Sequence, residues 1–238
     1  MDTPISQCLF IHYNALIPAK NKDCLFSLLS QDEKCTFTTL QSETKKTEFL
    51  VSRCALKALI KLAGFDAYSY NTARTVSCNN QTCYVSLSHT HNAVSVSLFH
   101  KPHGIDIEHC KRHVSYRNAL IKRYFAPSEH KYINHLPWGK TRRFLKLWTL
   151  KEAIIKSQEL SPTHALKYDT VANPNKLLLV NFLVWKKYIC GIAIGDSYQE
   201  NVLIREYSMN LNDLCAYLGG CGRYRIRTSD LLHVRQAL

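Results

Sequence analysis

Two short segments of the chain carry side chains suited to cation and phosphate chemistry. One is Gly-Ile-Asp-Ile-Glu at residues 104–108, and the other is Trp-Thr-Leu-Lys-Glu-Ala-Ile-Ile-Lys at residues 148–156. On an extended strand, Asp106 and Glu108 project from the same face, so both carboxylates can reach one cation. Magnesium prefers oxygen ligands of this kind. The first segment therefore predicts a strand that presents two metal-binding carboxylates.

The second segment predicts a helix that adds a third carboxylate and two ammonium groups. Over residues 142–158, Glu152 and Lys156 lie four residues apart on one face, and Lys151 lies beside that face. A neighbouring stripe is apolar and predicts a buried face formed by Leu147, Leu150 and Ile154. Glu-to-Lys spacing of four residues is also the commonest surface ion-pair pattern, so the spacing alone favours an ordinary surface pair.

Two places further upstream have side chains that can bind an anion. A predicted helix over residues 44–62 carries Arg53 and Lys57 one turn apart, where they can grip one anion together or stand as two solvated charges. Residues 85–99 alternate like strand pairs. We expect these strands to be broken at residues 88–92, where Ser-His can donate hydrogen bonds to a phosphate, although such a pair is more often ordinary turn chemistry.

The composition fits a folded protein of one large domain or two modest domains. The 238 residues are 46% hydrophobic and 21% charged, with neither an export signal nor an apolar run long enough to span a bilayer. We therefore expect a soluble, cytoplasmic protein whose ten cysteines are reduced. The less favoured alternative is a zinc site formed by Cys78, Cys83, His89 and His91, with Cys110 and His113 further on.

The net charge of +13 favours acidic or polyanionic partners, because it raises encounter rates with them. Nucleic acid would fit this charge, but the basic residues are scattered and match no zinc-finger or RNA-binding signature. Acidic residues in the two segments would also repel a phosphate backbone unless a metal intervened. A nucleic-acid-binding protein without catalysis therefore remains the alternative to an enzyme.

The predicted elements mix helices with runs of neighbouring strands, which is typical of the α+β class. The strand and helix that carry the acidic residues are accompanied by a first strand at residues 8–13 and a helix at residues 116–125. Residues 70–81 read as polar and turn-like. The C-terminal part predicts strands over residues 177–185, 188–194 and 202–207, then a helix over residues 211–218.

In this order and at this separation, GIDIE and WTLKEAIIK resemble the two signature motifs of the Sfp-type 4'-phosphopantetheinyl transferases. Weaker matches keep the same order: an Arg-containing helix around Arg53, Ser88-His89 within SLSHT, and RYFAPSE at residues 123–129. The resemblance covers roughly residues 5–218, and the combination is more specific than any single motif.

The resemblance implies two similar α/β halves related by a pseudo-twofold, residues 1–100 and 101–218, each a small sheet packed with helices. Coenzyme A would bind in the cleft between them. The enzyme would transfer the 4'-phosphopantetheine arm to a serine of an apo acyl or peptidyl carrier protein, releasing adenosine 3',5'-bisphosphate. Such carriers serve fatty-acid, polyketide or nonribosomal-peptide assembly, and two halves in one chain make a monomer sufficient.

The same resemblance implies a role for each motif residue. Mg²⁺ would be held by Asp106, Glu108 and Glu152. Glu152 would also accept the serine proton, and Lys156 would assist the departing phosphate. Coenzyme contacts are expected from a set of basic and polar residues: Arg53, Lys57, Ser88, His89, Lys151 and Lys156.

The sequence departs from the family pattern in one coenzyme-binding loop. Many members carry Gly-Lys-Pro shortly before the Ser-His element, whereas residues 76–82 read Val-Ser-Cys-Asn-Asn-Gln-Thr here. We expect weaker or altered coenzyme binding at this loop. A family member that has lost activity is therefore a further alternative.

The last segment, residues 219–238, carries four arginines and one aspartate and extends past the resemblance. Arg225-Ile226-Arg227-Thr228 can be encoded by CGG ATT CGA ACC, which contains the reverse complement of a typical tRNA T-arm. We therefore expect a disordered or incidental tail, produced where the reading frame enters a tRNA gene on the opposite strand. The genomic nucleotide sequence tests this, and the absence of a tRNA gene across those codons would refute it.

Overall fold

The strands around the acidic residues belong to two sheets that pack against each other. A seven-stranded sheet and a three-stranded sheet share an apolar core, and helices pack on both sheets, so the predicted α+β class is confirmed. No described helix is long and apolar enough to cross a membrane. The computed structural model describes residues 6–14, 16–65, 69–71, 74–78, 81–158, 160–172, 177–195, 202–220 and 225–234.

The described residues form helices and strands in a mixed order. The strands are β1 (Ser6–His12), β2 (Ser69–Asn71), β3 (Thr75–Cys78), β4 (Gln81–Thr90), β5 (Ala93–Phe99), β6 (His103–His109), β7 (Leu178–Val184), β8 (Tyr188–Ile194), β9 (Val202–Asn210) and β10 (Arg227–Val234). The helices are α1 (Ala19–Ser27), α2 (Gln31–Thr39), α3 (Glu43–Leu62), α4 (Arg117–Tyr124), α5 (Pro127–Asn134), α6 (Lys140–Ser157), α7 (Pro162–Lys167) and α8 (Leu211–Gly219).

The larger sheet has the strand order β10-β9-β1-β5-β4-β3-β2, and the smaller sheet has the order β6-β8-β7. Within the larger sheet, β1 runs antiparallel to β5 and parallel to β9. The strands of the smaller sheet run antiparallel to their neighbours. The first strand of the chain therefore lies inside the sheet, between a strand from the middle of the sequence and one from near its end.

Alternation along the strands separates the apolar core from the acidic residues. Phe10 of β1 packs with Ile105 and Ile107 of β6 in the core between the sheets. Leu9 and Ile11 belong instead to a second core that includes the apolar face of α3. Because successive side chains on a strand point to opposite faces, Asp106, the one residue between these isoleucines, faces away from the inter-sheet core.

Most elements agree with the sequence predictions, but two expectations were wrong. The helix predicted over residues 142–158 is α6, and the three C-terminal strands are β7, β8 and β9. The break expected at residues 88–92 is confined to the His91-Asn92 turn, because β4 pairs with β5 up to that turn. Residues 70–81, expected to be turn-like, contain β3 and part of β2 in their described portion.

Strand pairing and helix packing cross the expected boundary between residues 1–100 and 101–218. From the second part, β9 pairs with β1, and α8 packs on α1 and α3. Within the tail, β10 pairs with β9, which differs from the disorder expected for residues 219–238. The open edge of β9 offers unpaired backbone groups that a following strand can satisfy. The domain boundary and the incidental origin of the tail stay predictions.

Gly104→Ala is expected to lower the free energy of unfolding by roughly 1–3 kcal/mol. A Cβ at position 104 would overlap the carbonyl oxygen of Ala153 and lie 2.6 Å from the amide nitrogen of Ser157, so β6 and α6 would have to separate. Urea denaturation measures the change. The control is Gly219→Ala, whose Cβ would have the Cys24 sulfur as its nearest contact, at 3.9 Å. An unchanged free energy of unfolding for Gly104→Ala would contradict the close packing.

Candidate active site

The two carboxylates of β6 lie on the strand face that meets α6. Gly104 allows the backbones of β6 and α6 to approach closely. Asp106 and Glu108 lie on the same face of the strand, and each is only 6% exposed. The facing helix carries Glu152 and Lys156. The structure therefore brings the acidic residues of the first segment next to the polar face of the second.

Asp106 accepts two hydrogen bonds through the same carboxylate oxygen. Its Oδ1 accepts one from the hydroxyl of Ser88 and one from the ammonium group of Lys156, each at 2.7 Å. Its Oδ2 is buried and has no hydrogen-bond partner among the described residues. Because an unpaired buried carboxylate oxygen is costly, Oδ2 is an oxygen to which a cation or a further donor can bind favourably.

Glu108 is held by one hydroxyl and one cation. Its Oε2 accepts a hydrogen bond of 3.0 Å from Thr90 Oγ1, and its Oε1 forms an ion pair with Arg112. The Glu108 side chain is almost fully buried, whereas the Arg112 side chain is half exposed. The negative charge of Glu108 therefore lies at the boundary between the protein interior and an open surface.

Glu152 and Lys156 lie one turn apart on α6, near the β6 carboxylates. Burial raises the pKa of Glu152, and the negative charge of Asp106 raises it further. The positive charges of Lys156 and Arg112 oppose that rise in pKa. The four-residue spacing of Glu152 and Lys156 is thus part of a charge cluster that includes β6, rather than an isolated surface pair.

The carboxylates suit a hard divalent cation by their chemistry, although they are paired with internal cations. Among the described residues, no group of three or more His, Cys, Asp or Glu side chains is arranged to hold a metal ion. Lys156 pairs with Asp106, and Arg112 pairs with Glu108. The unpartnered Oδ2 of Asp106 and the pKa-raising influence of Asp106 on Glu152 are features that a bound cation would relieve.

His89 lies at an open cavity beside this cluster. Its Nδ1 is 3.6 Å from Glu48 Oε2, and its side chain is half exposed. The cavity has a volume of about 460 Å³. Other residues that line it include His91, His109, Lys111 and Arg112. The basic lining is compatible with the phosphate contact expected of His89, which stays a prediction.

Arg53 and Lys57 lie on α3 as predicted, and both interact with groups of the protein. Lys57 Nζ is 2.9 Å from Glu33 Oε2. The Arg53 guanidinium lies over the ring of Phe49, 5.2 Å from its centroid, and lowers the pKa of Glu33 together with Lys57. Their expected coenzyme contacts therefore remain predictions, and both cations are engaged with α2 or α3 in this structure.

Ser88 faces the carboxylate cluster instead of the open cavity. Its side chain is buried, and its hydroxyl donates to Asp106. His89, the next residue, is exposed because successive side chains of a strand point to opposite faces. In this structure the Ser88 hydroxyl contacts Asp106, and its expected contact with the coenzyme stays a prediction.

Lys151 is fully buried away from the carboxylates, and its expected coenzyme contact stays a prediction. Its Nζ donates to the carbonyl oxygens of Leu166 and Tyr168, at 2.9 and 2.7 Å, and is 3.0 Å from Glu129 Oε2. Burial lowers the pKa of Lys151, and the negative charge of Glu129 opposes that change. Lys151 therefore links α6 to α5, to α7 and to the residue that follows α7.

Two residues of the cluster, Thr90 and Arg112, were not identified from the sequence. Thr90 lies two residues after Ser88, the same spacing that separates Asp106 from Glu108. Recognising β4 as continuous through these residues would have predicted both hydroxyls on one face. Arg112 follows the strand in a loop, and no periodic pattern indicates its pairing with Glu108.

The family comparison matches the part of the chain that contains the cluster. Residues 102–175 match the model of the 4'-phosphopantetheinyl transferase superfamily. This region runs from β6 to α7 and includes Asp106, Glu108, Glu152 and Lys156. The match covers less than half of the chain and supports the similarity of this region to that superfamily, whose general chemistry is phosphopantetheine transfer. No curated protein matches the chain.

The departure at residues 76–82 remains a prediction about coenzyme binding. Residues 79 and 80 lie outside the described part of the chain, as do the side chains of Cys78 and Gln81. The consequence of the missing Gly-Lys-Pro sequence is therefore a question for binding measurements with coenzyme A.

Lys151→Met is expected to destabilise the protein by about 3–5 kcal/mol, because it leaves the buried Glu129 carboxylate without its counter-charge. Lys156→Met is the matched control on the same helix, since its ammonium group is partly exposed and Asp106 keeps the Ser88 hydrogen bond. Chemical denaturation compares the two. A larger loss of stability for Lys156→Met than for Lys151→Met would contradict these assignments.

Proposed function

We propose that the chain is an Sfp-type, magnesium-dependent phosphopantetheinyl transferase acting on carrier proteins. It would move the 4'-phosphopantetheine arm of coenzyme A to a serine of an apo acyl or peptidyl carrier protein and release adenosine 3',5'-bisphosphate. The observation that carries the proposal is the meeting of Asp106 with Lys156 and Glu152 across β6 and α6, within the region that matches the superfamily.

Asp106, Glu108 and Glu152 are the residues that would hold Mg²⁺. Three carboxylates suit its preference for oxygen ligands and leave room for phosphate oxygens and water. When bound, the ion supplies positive charge that stabilises the charge developing on the phosphate under attack. Oδ2 of Asp106 supports this assignment, because it is a buried oxygen that accepts no hydrogen bond from the described residues.

Glu152 is the proposed acceptor of the serine proton. Burial and the charge of Asp106 raise its pKa, and a carboxylate with a raised pKa is a stronger base than an ordinary exposed one. Lys156, one turn further along α6, would stabilise the departing phosphate with its ammonium group. To do so, it would exchange part of its contact with Asp106 for a contact with the coenzyme.

The remaining substrate contacts follow from the basic surroundings. His89 at the open cavity is the proposed phosphate contact, with Arg53 and Lys57 as further candidates on α3. The carrier protein supplies the nucleophilic serine, so the chain needs no nucleophile of its own. Its net charge of +13 suits the acidic surfaces usual on such carriers. Two halves in one chain would allow the enzyme to act as a monomer.

Incubation with coenzyme A, Mg²⁺ and an apo carrier protein should add one phosphopantetheine arm to the carrier, detected by mass spectrometry. Asp106→Asn and Glu152→Gln are expected to lower kcat/KM by at least about a hundredfold, because each removes a carboxylate charge from the proposed metal and base site. Chelation of divalent cations should stop the transfer, and added Mg²⁺ should restore it.

The control for these variants is Glu43→Gln, which removes an exposed carboxylate that pairs only with surface lysines in the described structure. Full activity in Asp106→Asn or Glu152→Gln would remove the proposed site. No transfer to any of several carriers by the folded protein would contradict the proposed function. Strong nucleic-acid binding by a chain that ends at residue 218, without transfer, would favour the non-catalytic alternative.

A further inference from the structure

Two hydroxyls of β4 hold the two carboxylates of β6 in the same way. Ser88 Oγ donates to Asp106 Oδ1 at 2.7 Å, and Thr90 Oγ1 donates to Glu108 Oε2 at 3.0 Å. In both pairs the partners are 18 residues apart in sequence. Because this separation is the same for both pairs, β4 and β6 run in the same direction where they meet, although they belong to different sheets.

These hydrogen bonds restrict carboxylates that are already almost fully buried. Ser88 is 4% exposed, and Asp106 and Glu108 are each 6% exposed. A hydrogen bond from a hydroxyl to a carboxylate is charge-assisted, so it fixes the orientation of the acidic group more firmly than a neutral contact does. For Asp106, both donors bind Oδ1, which leaves Oδ2 without a partner among the described residues.

The neighbouring residue of β4 has a different environment. His89 is exposed, lines the open cavity and lies near Glu48 of α3. Strand alternation therefore turns the hydroxyls of Ser88 and Thr90 toward the carboxylates and the imidazole of His89 toward the cavity, which Thr90 also lines. A single Ser-His element thus serves two different surroundings.

We propose that Ser88 and Thr90 are positioning residues that orient Asp106 and Glu108 for a divalent cation, and that neither is a ligand of the coenzyme. The inference rests on the proposed function, because that function supplies the reason for a cation at these carboxylates. Each hydroxyl fixes one oxygen of its carboxylate, and the orientation of the other oxygen is fixed with it. Residues that orient metal ligands in this way typically change metal affinity when they are removed.

The test is a Mn²⁺ titration of the full-length protein in the presence of coenzyme A, with free Mn²⁺ measured by electron paramagnetic resonance. Ser88→Ala is expected to raise the Kd for Mn²⁺ about tenfold. Thr90→Val removes the second hydroxyl at nearly constant side-chain size and should raise the Kd in the same direction. Thr90→Ser keeps the hydroxyl and should stay within about twofold of wild type.

Ser86→Ala is the matched control, because Ser86 is a buried serine on the same face of β4. Its hydroxyl accepts a hydrogen bond from the backbone amide of Ile105 at 3.1 Å and does not contact either carboxylate in the described structure. It should leave the Kd for Mn²⁺ unchanged. Ser88→Cys, which keeps nearly the same volume with a weaker donor, replaces Ser88→Ala if circular dichroism shows that Ser88→Ala is unfolded.

A second readout separates positioning of the metal from general damage to the site. The metal concentration that gives half-maximal transfer should rise in Ser88→Ala and Thr90→Val, while kcat at saturating metal stays close to that of wild type. A coenzyme contact would instead raise the KM for coenzyme A at saturating metal. That result, with metal affinity unchanged, would overturn the inference.

The outcomes also separate this inference from the proposed function. If wild type binds Mn²⁺ and Asp106→Asn abolishes binding, but Ser88→Ala and Thr90→Val bind as wild type does, positioning by the hydroxyls is refuted and the proposed function stands. If wild type shows no Mn²⁺ binding that depends on Asp106, both fail together. Equal weakening by Ser86→Ala would likewise refute a specific role for the two hydroxyls.

Discussion

The close backbone contact between α6 and the smaller sheet brings Glu152 and Lys156 next to the carboxylates of β6. Two glycines make it possible, because a side chain at Gly104 or Gly191 would collide with the α6 backbone near Ala153 or Thr149. Gly191 pairs with Asp106 across β8 and β6, so the close approach occurs beside the acidic residue itself. This contact brings the ammonium group of Lys156 within hydrogen-bonding distance of Asp106.

The same contact removes the carboxylates of β6 from water, and neighbouring residues offset the free-energy cost of that burial. Two carboxylates that are almost fully removed from water are costly unless each has a counter-charge and hydrogen bonds. Asp106 has Lys156, and Glu108 has Arg112. The two cations come from different elements, α6 and the loop after β6, so the charge balance of the site depends on both. Asp106 and Glu108 therefore each have a counter-charge before any external ion binds.

Local spacing predicted those parts of the site that depend on one strand or one helix. Strand alternation predicts that Asp106 and Glu108 share one face, and helical spacing predicts the same for Glu152 and Lys156. The structure agrees with both predictions. The same reasoning did not predict the burial of Lys151, because helical spacing does not reveal which neighbouring face is buried or that Glu129 would be its partner. That partner belongs to another helix, and its position depends on packing between elements.

The fold shows the same division between local and long-range information. The amphipathic pattern of α3 can be recognised in the sequence. Helices α1 and α2 were not predicted, because their apolar stripes are weak. The pairing of β10 with β9 was also missed, because residues 219–238 were interpreted as an incidental product of a reading frame that enters a tRNA gene. Pairing of backbone groups at a sheet edge places few demands on side-chain composition.

The parallel pairing of β1 with β9 has a consequence for how the chain folds as it is synthesised. Gln7 pairs with Arg205, roughly 200 residues later, so β1 gains this neighbour only after all the intervening residues have been synthesised. At ribosomal speeds of roughly 5–20 residues per second, β9 is synthesised on the order of 10–40 seconds after β1. During that time, one edge of β1 has no partner strand. Such long-range pairing is slow to form, and until it forms the unpaired edge of β1 can pair with another chain.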